Sequence, residues 1–303
     1  MEKIVKTFCV WSDLLGFSKP FADGNWSFDN EHSRRNVARL SNVWQVAHSA
    51  GSPLEEVALF LNDGIARVYD FDPESETPGN ILVWLDRMLR YHGTISSVDR
   101  QSGFPGLRTV LCFGERIKMG SSLVPASDYI VEPSEFQQKL QQKICVYSPA
   151  EFQLNLAFSK AYYLEQKGSK IGLERNSAFY IEEAAVNVIS DFLHNRCFNE
   201  WVGKDVSPDE IPSQIVPVQS RYAVTAMDVG DDLEMRITRD TGQGANLYYA
   251  FRYSKKPIQV DENGLKTCVH KIVGGEIPLE FVNPWANVKL DKDARADLIK
   301  KLP

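Results

Sequence analysis

The sequence predicts an α+β fold with a split βαβ, ferredoxin-like core. Three observations predict it. The periodic segments run β-α-β-β-α-β-α-β-α from Lys6 to His194. Asn62-Asp63-Gly64 joins the second and third strands with a strong hairpin turn signal. Beyond a polar stretch from Gly203 to Ser220, which carries Pro208, Pro212 and Pro217, the recognisable segments all read as strands. The expected division is a core over residues 1–203 and a β-rich extension over 204–303.

Lys6 to Ser12 (KTFCVWS) is rich in aromatic and β-branched residues and predicts a buried strand. Asp13 ends it and Leu14-Leu15-Gly16-Phe17-Ser18 follows. Residues 19–30 hold Pro20, Gly24, Asn25 and Asp29 and predict a loop. His32 to Ser49 predicts a helix, with Val37, Leu40, Val43, Trp44 and Ala47 at helical spacing and Gly51-Ser52-Pro53 as its stop. Glu56 to Leu61 and Ile65 to Phe71 are the hairpin strands. Ile65, Arg67 and Tyr69 share one face of the second, and Ala66, Val68 and Asp70 the other. Thr77 to His92 predicts a helix opened by Pro78, with Ile81, Trp84, Leu85, Met88 and Leu89 inward. Leu107 to Phe113 is a strand entered and left through Gly106 and Gly114.

Glu115 to Val146 is less regular, with a short helix expected at Ser134 to Gln142. Pro149 to Gln166 predicts a helix closed by Gly168, Lys170 to Leu173 a short strand, and Ile181 to His194 another helix. The tail strands are expected at Tyr222–Met227, Leu233–Thr238, Leu247–Tyr253 and Thr267–Val273.

Composition narrows the function. The chain has 303 residues, 43% hydrophobic and 24% charged, which excludes disorder and collagen-like repeats. Its 34 basic against 40 acidic side chains give a net charge of −6, so no broad basic face for nucleic acid is expected. No apolar window approaches a membrane span. The start, MEKIVKTFCVWSDLLGF, is too acidic and too soon interrupted for a signal peptide. Five dispersed cysteines without a CxxC pair predict reduced thiols in a cytoplasmic protein. Five histidines without HExxH or HxxxH spacing argue against a histidine-built metal site.

Two carboxylates carry the chemistry. Asp13 ends the first strand and Asp63 sits at the hairpin tip, and a split βαβ sheet places that strand beside that hairpin. Convergent carboxylates without histidine or cysteine suit Mg²⁺ or Mn²⁺, held jointly with substrate phosphates. Gly16 permits a tight backbone turn, so the amides of Gly16, Phe17 and Ser18 are candidates to cradle phosphate oxygens. Alone, DxxGF is a common strand-to-turn sequence and NDG the commonest hairpin turn; their joint placement is more specific.

Trp11-Ser12-Asp13-Leu14-Leu15-Gly16-Phe17-Ser18 resembles the first metal-aspartate motif of the class III nucleotide cyclases, the adenylate and guanylate cyclase superfamily. Leu59-Phe60-Leu61-Asn62-Asp63-Gly64 resembles the second metal-aspartate hairpin of that family. Gly106-Leu107-Arg108-Thr109-Val110-Leu111-Cys112-Phe113-Gly114-Glu115 resembles its RxGIHxGE strand. Asn155-Leu156-Ala157 resembles its VNxAxR segment, whose Asn orients the ribose. The four follow family order over residues 5–185. The resemblance implies a metal site at Asp13, Leu14 and Asp63, two Mn²⁺ or Mg²⁺ ions per site, and a nucleoside triphosphate substrate. It also implies a homodimer in which one chain gives the metals and the other the base pocket and Asn155.

Departures from the family pattern point to the substrate. The family arginine four residues after the Asn is here Ser159, with Lys160 about 100° further around the helix. Either Lys160 or another cation, with Arg108, Arg116 and Lys118 as candidates, takes that place. The purine-reading lysine is replaced by Leu59 and its partner position by Ser148. A cyclase of this kind without purine readers resembles the pyrimidine cyclases of bacterial Pycsar anti-phage systems. Those make cyclic CMP or cyclic UMP as an alarm signal that acts on a separate effector protein. Because no carboxylate is evident to accept from the cytosine amine, UTP is favoured over CTP, with Leu59 and Ser148 facing the base. The resemblance leaves the extension from residue 204 unexplained.

Plainer roles stand beside these. Asn155 has a lesser reading as a solvated polar position, Arg108 reads equally as a strand-end salt bridge, and Glu165 reads as surface. Phe152, Phe158, Tyr162 and Tyr163 read as core or dimer packing. A purine cyclase, another palm-like nucleotide enzyme, and a non-catalytic cyclase-like dimerisation module are the competing functions.

Overall fold

A computed structural model describes residues 3–49, 56–118, 151–194, 196–204, 214–242 and 244–276. Ser148 and the helix expected at 134–142 lie outside them. The elements up to Leu193 are β1 (Lys3–Leu14), α1 (Lys19–Asp23), α2 (Glu31–Ser49), β2 (Glu56–Leu61), β3 (Gly64–Phe71), α3 (Pro78–Gln101), β4 (Leu107–Lys118), α4 (Leu156–Lys167), β5 (Ala178–Glu182) and α5 (Glu183–Leu193).

β1 is the central strand. It pairs antiparallel with β3 on one side and β4 on the other, β2 completes the hairpin outside β3, and β5 runs parallel to β4. The order β2-β3-β1-β4 is that of the split βαβ core, so the α+β, ferredoxin-like expectation holds. Both faces of β1 are covered, which is why its sequence is apolar on both. Phe8 meets Trp84 of α3 at 5.6 Å, while Trp11 on the other face meets Phe158 and Tyr162 of α4 at 5.8 and 5.1 Å.

The hairpin forms at the expected residues, with Asn62 at φ 55°, the left-handed region that an Asn-led turn tolerates. α3 opens as its sequence predicts: Thr77 accepts from the Asn80 amide at 3.3 Å and Pro78 follows. It continues to Gln101, well past His92, because Ile95, Ser96 and Asp99 carry its buried face onward. α4 approaches β4 closely at Gly114, where a Cβ would stand 2.9 Å from the Ala157 amide nitrogen.

Four local expectations change. Lys19–Asp23 within the expected loop is a short helix with Pro20 in its first turn. The inward face of α2 is rotated: Val43 and Ala47 are buried, whereas Val37 and Trp44 are 46% and 37% exposed, and Ser33, Asn36 and Arg39 go inside instead. Gly168–Ile171 is a 3-10 turn rather than a strand, because Gly172 at φ 97° closes it, and the strand begins at Ala178. The helix expected from Pro149 starts at Leu156.

The chain divides into two units, Met1–Ile189 with Lys256–Ile272, and Ser190–Lys255 with Val273–Pro303. The expected break at 203/204 therefore does not separate them, and part of the tail belongs to the first unit. There β10 (Ile258–Glu262) pairs with β11 (Leu265–Glu276), and β11 pairs antiparallel with β5. Val260 and Val269 enter the same core as Trp11 and Ala161. A Pro-rich stretch marks a turn-prone segment, but membership in a unit is decided by where the apolar strands find a face to cover. The second unit is an antiparallel meander of β6 (Cys197–Lys204), β7 (Gln214–Val229), β8 (Asp232–Asp240) and β9 (Ala245–Ser254). No described helix is long and apolar enough to cross a membrane.

Candidate active site

The two aspartates converge because the strand register makes them. Asp13 pairs with Gly64 across β1 and β3, so Asp63 is one residue from the position facing it. The Leu14 amide donates to the Asp63 carbonyl at 3.3 Å and ties hairpin tip to strand end. On the other side Asp13 faces Arg108 of β4.

The carboxyl of Asp13 feels the charge of Asp63. Burial first, then the charges of Glu165 and Asp63, push the Asp13 carboxyl up to about 8, against the pull of Arg108 and Arg39. Burial likewise raises Asp63, opposed by its own backbone hydrogen bond and by Arg39. Two half-buried carboxylates that resist ionising side by side make a donor set that a hard divalent cation neutralises. Among the described residues no group of three His, Cys, Asp or Glu side chains converges to hold a metal, so the protein offers a carboxylate pair. That suits Mg²⁺ or Mn²⁺, which keep places for substrate phosphates and water.

The turn after Asp13 is narrower in its chemistry than the sequence suggests. Gly16 adopts φ 69°, as a tight turn requires. The Phe17 amide donates to the Leu14 carbonyl at 3.2 Å, so it is spent within the turn rather than offered to phosphate. The Phe17 side chain is buried and meets Phe21 at 5.4 Å. Leu14 is 1% exposed in the core, so only its main chain can face a metal ion. Ser18 precedes α1 and makes no side-chain cap.

Each candidate cation has a place. The Arg108 guanidinium donates from Nε and Nη2 to the Glu165 carboxylate, and from Nη1 and Nη2 to the Glu174 and Glu165 carbonyls. Glu165 is 1% exposed and not surface: a helix facing a partly buried guanidinium supplies its counter-charge from the inside. Lys160 donates to both oxygens of Glu182 at 2.6 and 2.7 Å. Arg116 pairs with Asp70. Arg116 and Lys118 lie 8 and 10 residues along β4 from Arg108, about 26 and 33 Å at strand rise, so neither reaches the aspartates of its own chain.

Asn155 is the N-cap of α4, not a solvated residue. Its side-chain oxygen accepts from the Phe158 amide and its nitrogen donates to the Glu151 carbonyl, both at 2.9 Å, and it is 1% exposed. Leu59 is partly buried opposite Ala66 and packs against the core. Phe152 and Phe158 pack edge to face at 5.5 Å, whereas Tyr162 is exposed and the Tyr163 hydroxyl donates to Glu262.

Two residues near the aspartates carry no motif: Arg39 and Glu165. The one available signal for Arg39 is its place in a run of inward polar residues, Ser33, Asn36 and Arg39, spaced three apart on α2.

No family model matches the chain, and no curated protein does. Among solved structures it is similar to a bacterial light-regulated adenylyl cyclase at 17% identity and TM-score 0.37, over 66% of this chain and 48% of that one, about half its length. It is also similar to the adenylyl cyclase CyaB from P. aeruginosa at 12% identity and TM-score 0.36, over 72% and 93%. A third is the catalytic core of a rhodopsin-guanylyl cyclase with converted specificity in complex with ATPalphaS, at 10% identity and TM-score 0.40, over 90% and 98%. At these scores the functional reading rests on the chain's own residues.

Proposed function

We propose that the protein is a nucleotide cyclase of the class III kind. It converts a pyrimidine nucleoside triphosphate, UTP ahead of CTP, to the 3′,5′-cyclic nucleotide and pyrophosphate. The observation that carries this reading is the convergence of Asp13 and Asp63 at the β1 end and hairpin tip of a split βαβ sheet. When bound there, divalent ions would lower the pKa of the 3′-hydroxyl and steady the triphosphate. Asp13 and Asp63 would hold the ions, and the Gly16 turn sets the backbone beside them. Arg108 and Lys160 are the candidate charge-stabilising cations and Asn155 the ribose-orienting residue, contributed by the second chain of a homodimer. The pyrimidine preference is supported by Leu59, which offers no charge to a purine edge. The product then signals to a separate effector in anti-phage defence.

One observation favours a second reading, a non-catalytic dimerisation module. Arg108, Lys160 and the Asn155 amide are all engaged within their own chain. Incubation with Mn²⁺ and the four nucleoside triphosphates, with products assigned by mass, separates these readings. Cyclic UMP or cyclic CMP is expected. A clear preference for ATP or GTP sinks the pyrimidine assignment and leaves the cyclase. No cyclic product from any substrate favours the module.

A further inference from the structure

We infer that the buried Arg39–Asp99 ion pair is the positioning element of the metal-aspartate turn, clamping the backbone on both sides of the β1–β4 junction so that Asp13 stands beside Asp63. The metal site it serves is that of the proposed cyclase, and the catalytic arm of the test rests on that reading.

Arg39 on α2 and Asp99 on α3 are 60 residues apart, and their side chains are 1% and 0% exposed. The guanidinium forks onto the carboxylate, Nε to Oδ1 at 2.6 Å and Nη2 to Oδ2 at 2.7 Å. Each partner also grips main chain. Arg39 Nη2 donates to the Leu15 carbonyl at 3.1 Å, and Asp99 Oδ2 accepts from the Gly106 amide at 2.8 Å. Leu15 and Gly106 are themselves joined, Leu15 amide to Gly106 carbonyl at 3.0 Å. The four residues close a ring. Leu15 is two residues after Asp13, and Gly106 two residues before the Arg108 that faces it. Asn36, one turn before Arg39, donates to the Phe17 carbonyl at 2.6 Å and holds the far side of the same turn. The guanidinium also lies over the Phe104 ring, 4.4 Å from its centroid.

Packing two helices needs no such device. A buried ion pair carries a desolvation cost, and apolar residues of like volume often serve stability as well or better. What they cannot do is accept from one backbone amide and donate to a carbonyl across the junction. The Arg67–Glu56 pair shows the contrast. It is equally buried, at 5% and 1% side-chain exposure, and its hydrogen bonds touch neither the Asp13 turn nor Gly106.

The test uses the full chain and Mn²⁺ as probe. Arg39→Met with Asp99→Leu removes both charges together, and Arg67→Met with Glu56→Leu is the control. The first double variant is expected to stay folded by circular dichroism. It should lose amide-exchange protection at Leu15 and Gly106 and bind Mn²⁺ at least tenfold more weakly in calorimetry. The Mn²⁺ concentration for half-maximal product formation should rise in parallel. Arg39→Lys should recover part of the affinity, and it carries the same readouts should the double variant fail to fold. The control should change none of them. Wild-type Mn²⁺ affinity and exchange in the folded Arg39→Met, Asp99→Leu protein overturns the inference, as does equal loss in the control. A wild-type chain that binds Mn²⁺ but makes no cyclic nucleotide sinks the proposed activity and leaves the clamp standing.

Discussion

Arg108 stands directly opposite Asp13 in the β1–β4 ladder, yet its guanidinium is spent on Glu165 of α4. The arrangement places three carboxylates, Asp13, Asp63 and Glu165, within electrostatic reach of one another, with Arg108 and Arg39 as the opposing charges. Glu165 thus tunes the pocket in two ways: it anchors Arg108, and its own charge disfavours ionised Asp13.

The first consequence concerns Asp13. Its carboxyl rises from an ordinary 3.8 to about 8, so in metal-free protein the folded state keeps a proton that the unfolded chain releases. Metal-free stability therefore declines as pH climbs through that window. Asp13→Asn should melt higher than wild type at pH about 8 without metal, yet form no product. Added Mn²⁺ should raise the wild-type melting temperature and leave Asp13→Asn and Asp63→Asn nearly unmoved. Wild-type turnover by either variant would exclude the two-aspartate site.

Removing Arg108 alone strands Glu165 as an uncompensated buried charge. Arg108→Met should cost about 3 kcal/mol in urea unfolding, whereas Arg108→Met with Glu165→Leu should recover most of it. The stable double variant should still have kcat at least about tenfold below wild type, since it lacks the cation facing Asp13. Additive stability losses would show that the pair is not coupled.

His92 predicts a pH limit on the fold. Its Nδ1 meets Thr109 Oγ1 at 2.8 Å and its ring packs against Phe179 at 5.6 Å. Burial, then the charge of Arg100, lowers it from 6.5 to about 4. The neutral ring is the folded form, so its contribution is complete above 6.5 and is lost as pH falls towards 4. The difference in unfolding free energy between wild type and His92→Gln should shrink by about 3 kcal/mol over that interval. A difference independent of pH would refute the assignment.

Asn155 has a local duty that any catalytic role must share. Asn155→Ala should cost about 1 kcal/mol through loss of the α4 cap, while Asn155→Asp keeps an acceptor and most of that stability. If sites form across a two-fold dimer, mixing Asn155→Ala with Asp63→Ala chains should restore about one working site per mixed dimer. Verified mixed dimers without activity would place each site within one chain.

The residues most legible in sequence are those whose partners are near in the chain or set by strand register. Asn62-Asp63-Gly64 declares its hairpin because positive φ favours those residues. Thr77-Pro78 declares the start of α3 for a similar local reason. The aspartates followed, since the split βαβ order puts β1 beside β3 whatever the side chains between. On α2 the helical periodicity holds but the buried face is offset from the expected one, because hydrophobicity alone ranks Val37 and Trp44 above Asn36 and Arg39.

The amino-acid sequence by itself determined the α+β order, the hairpin, and the meeting of Asp13 with Asp63. Only the tertiary structure decided what surrounds them. Arg39–Asp99 and Arg108–Glu165 join residues 60 and 57 positions apart, and a charged residue on a helix reads as solvated until its partner is seen. The return of Lys256–Ile272 to the first unit is likewise decided at long range, by the pairing of β11 with β5 and the entry of Val260 and Val269 into the core, rather than by any local pattern.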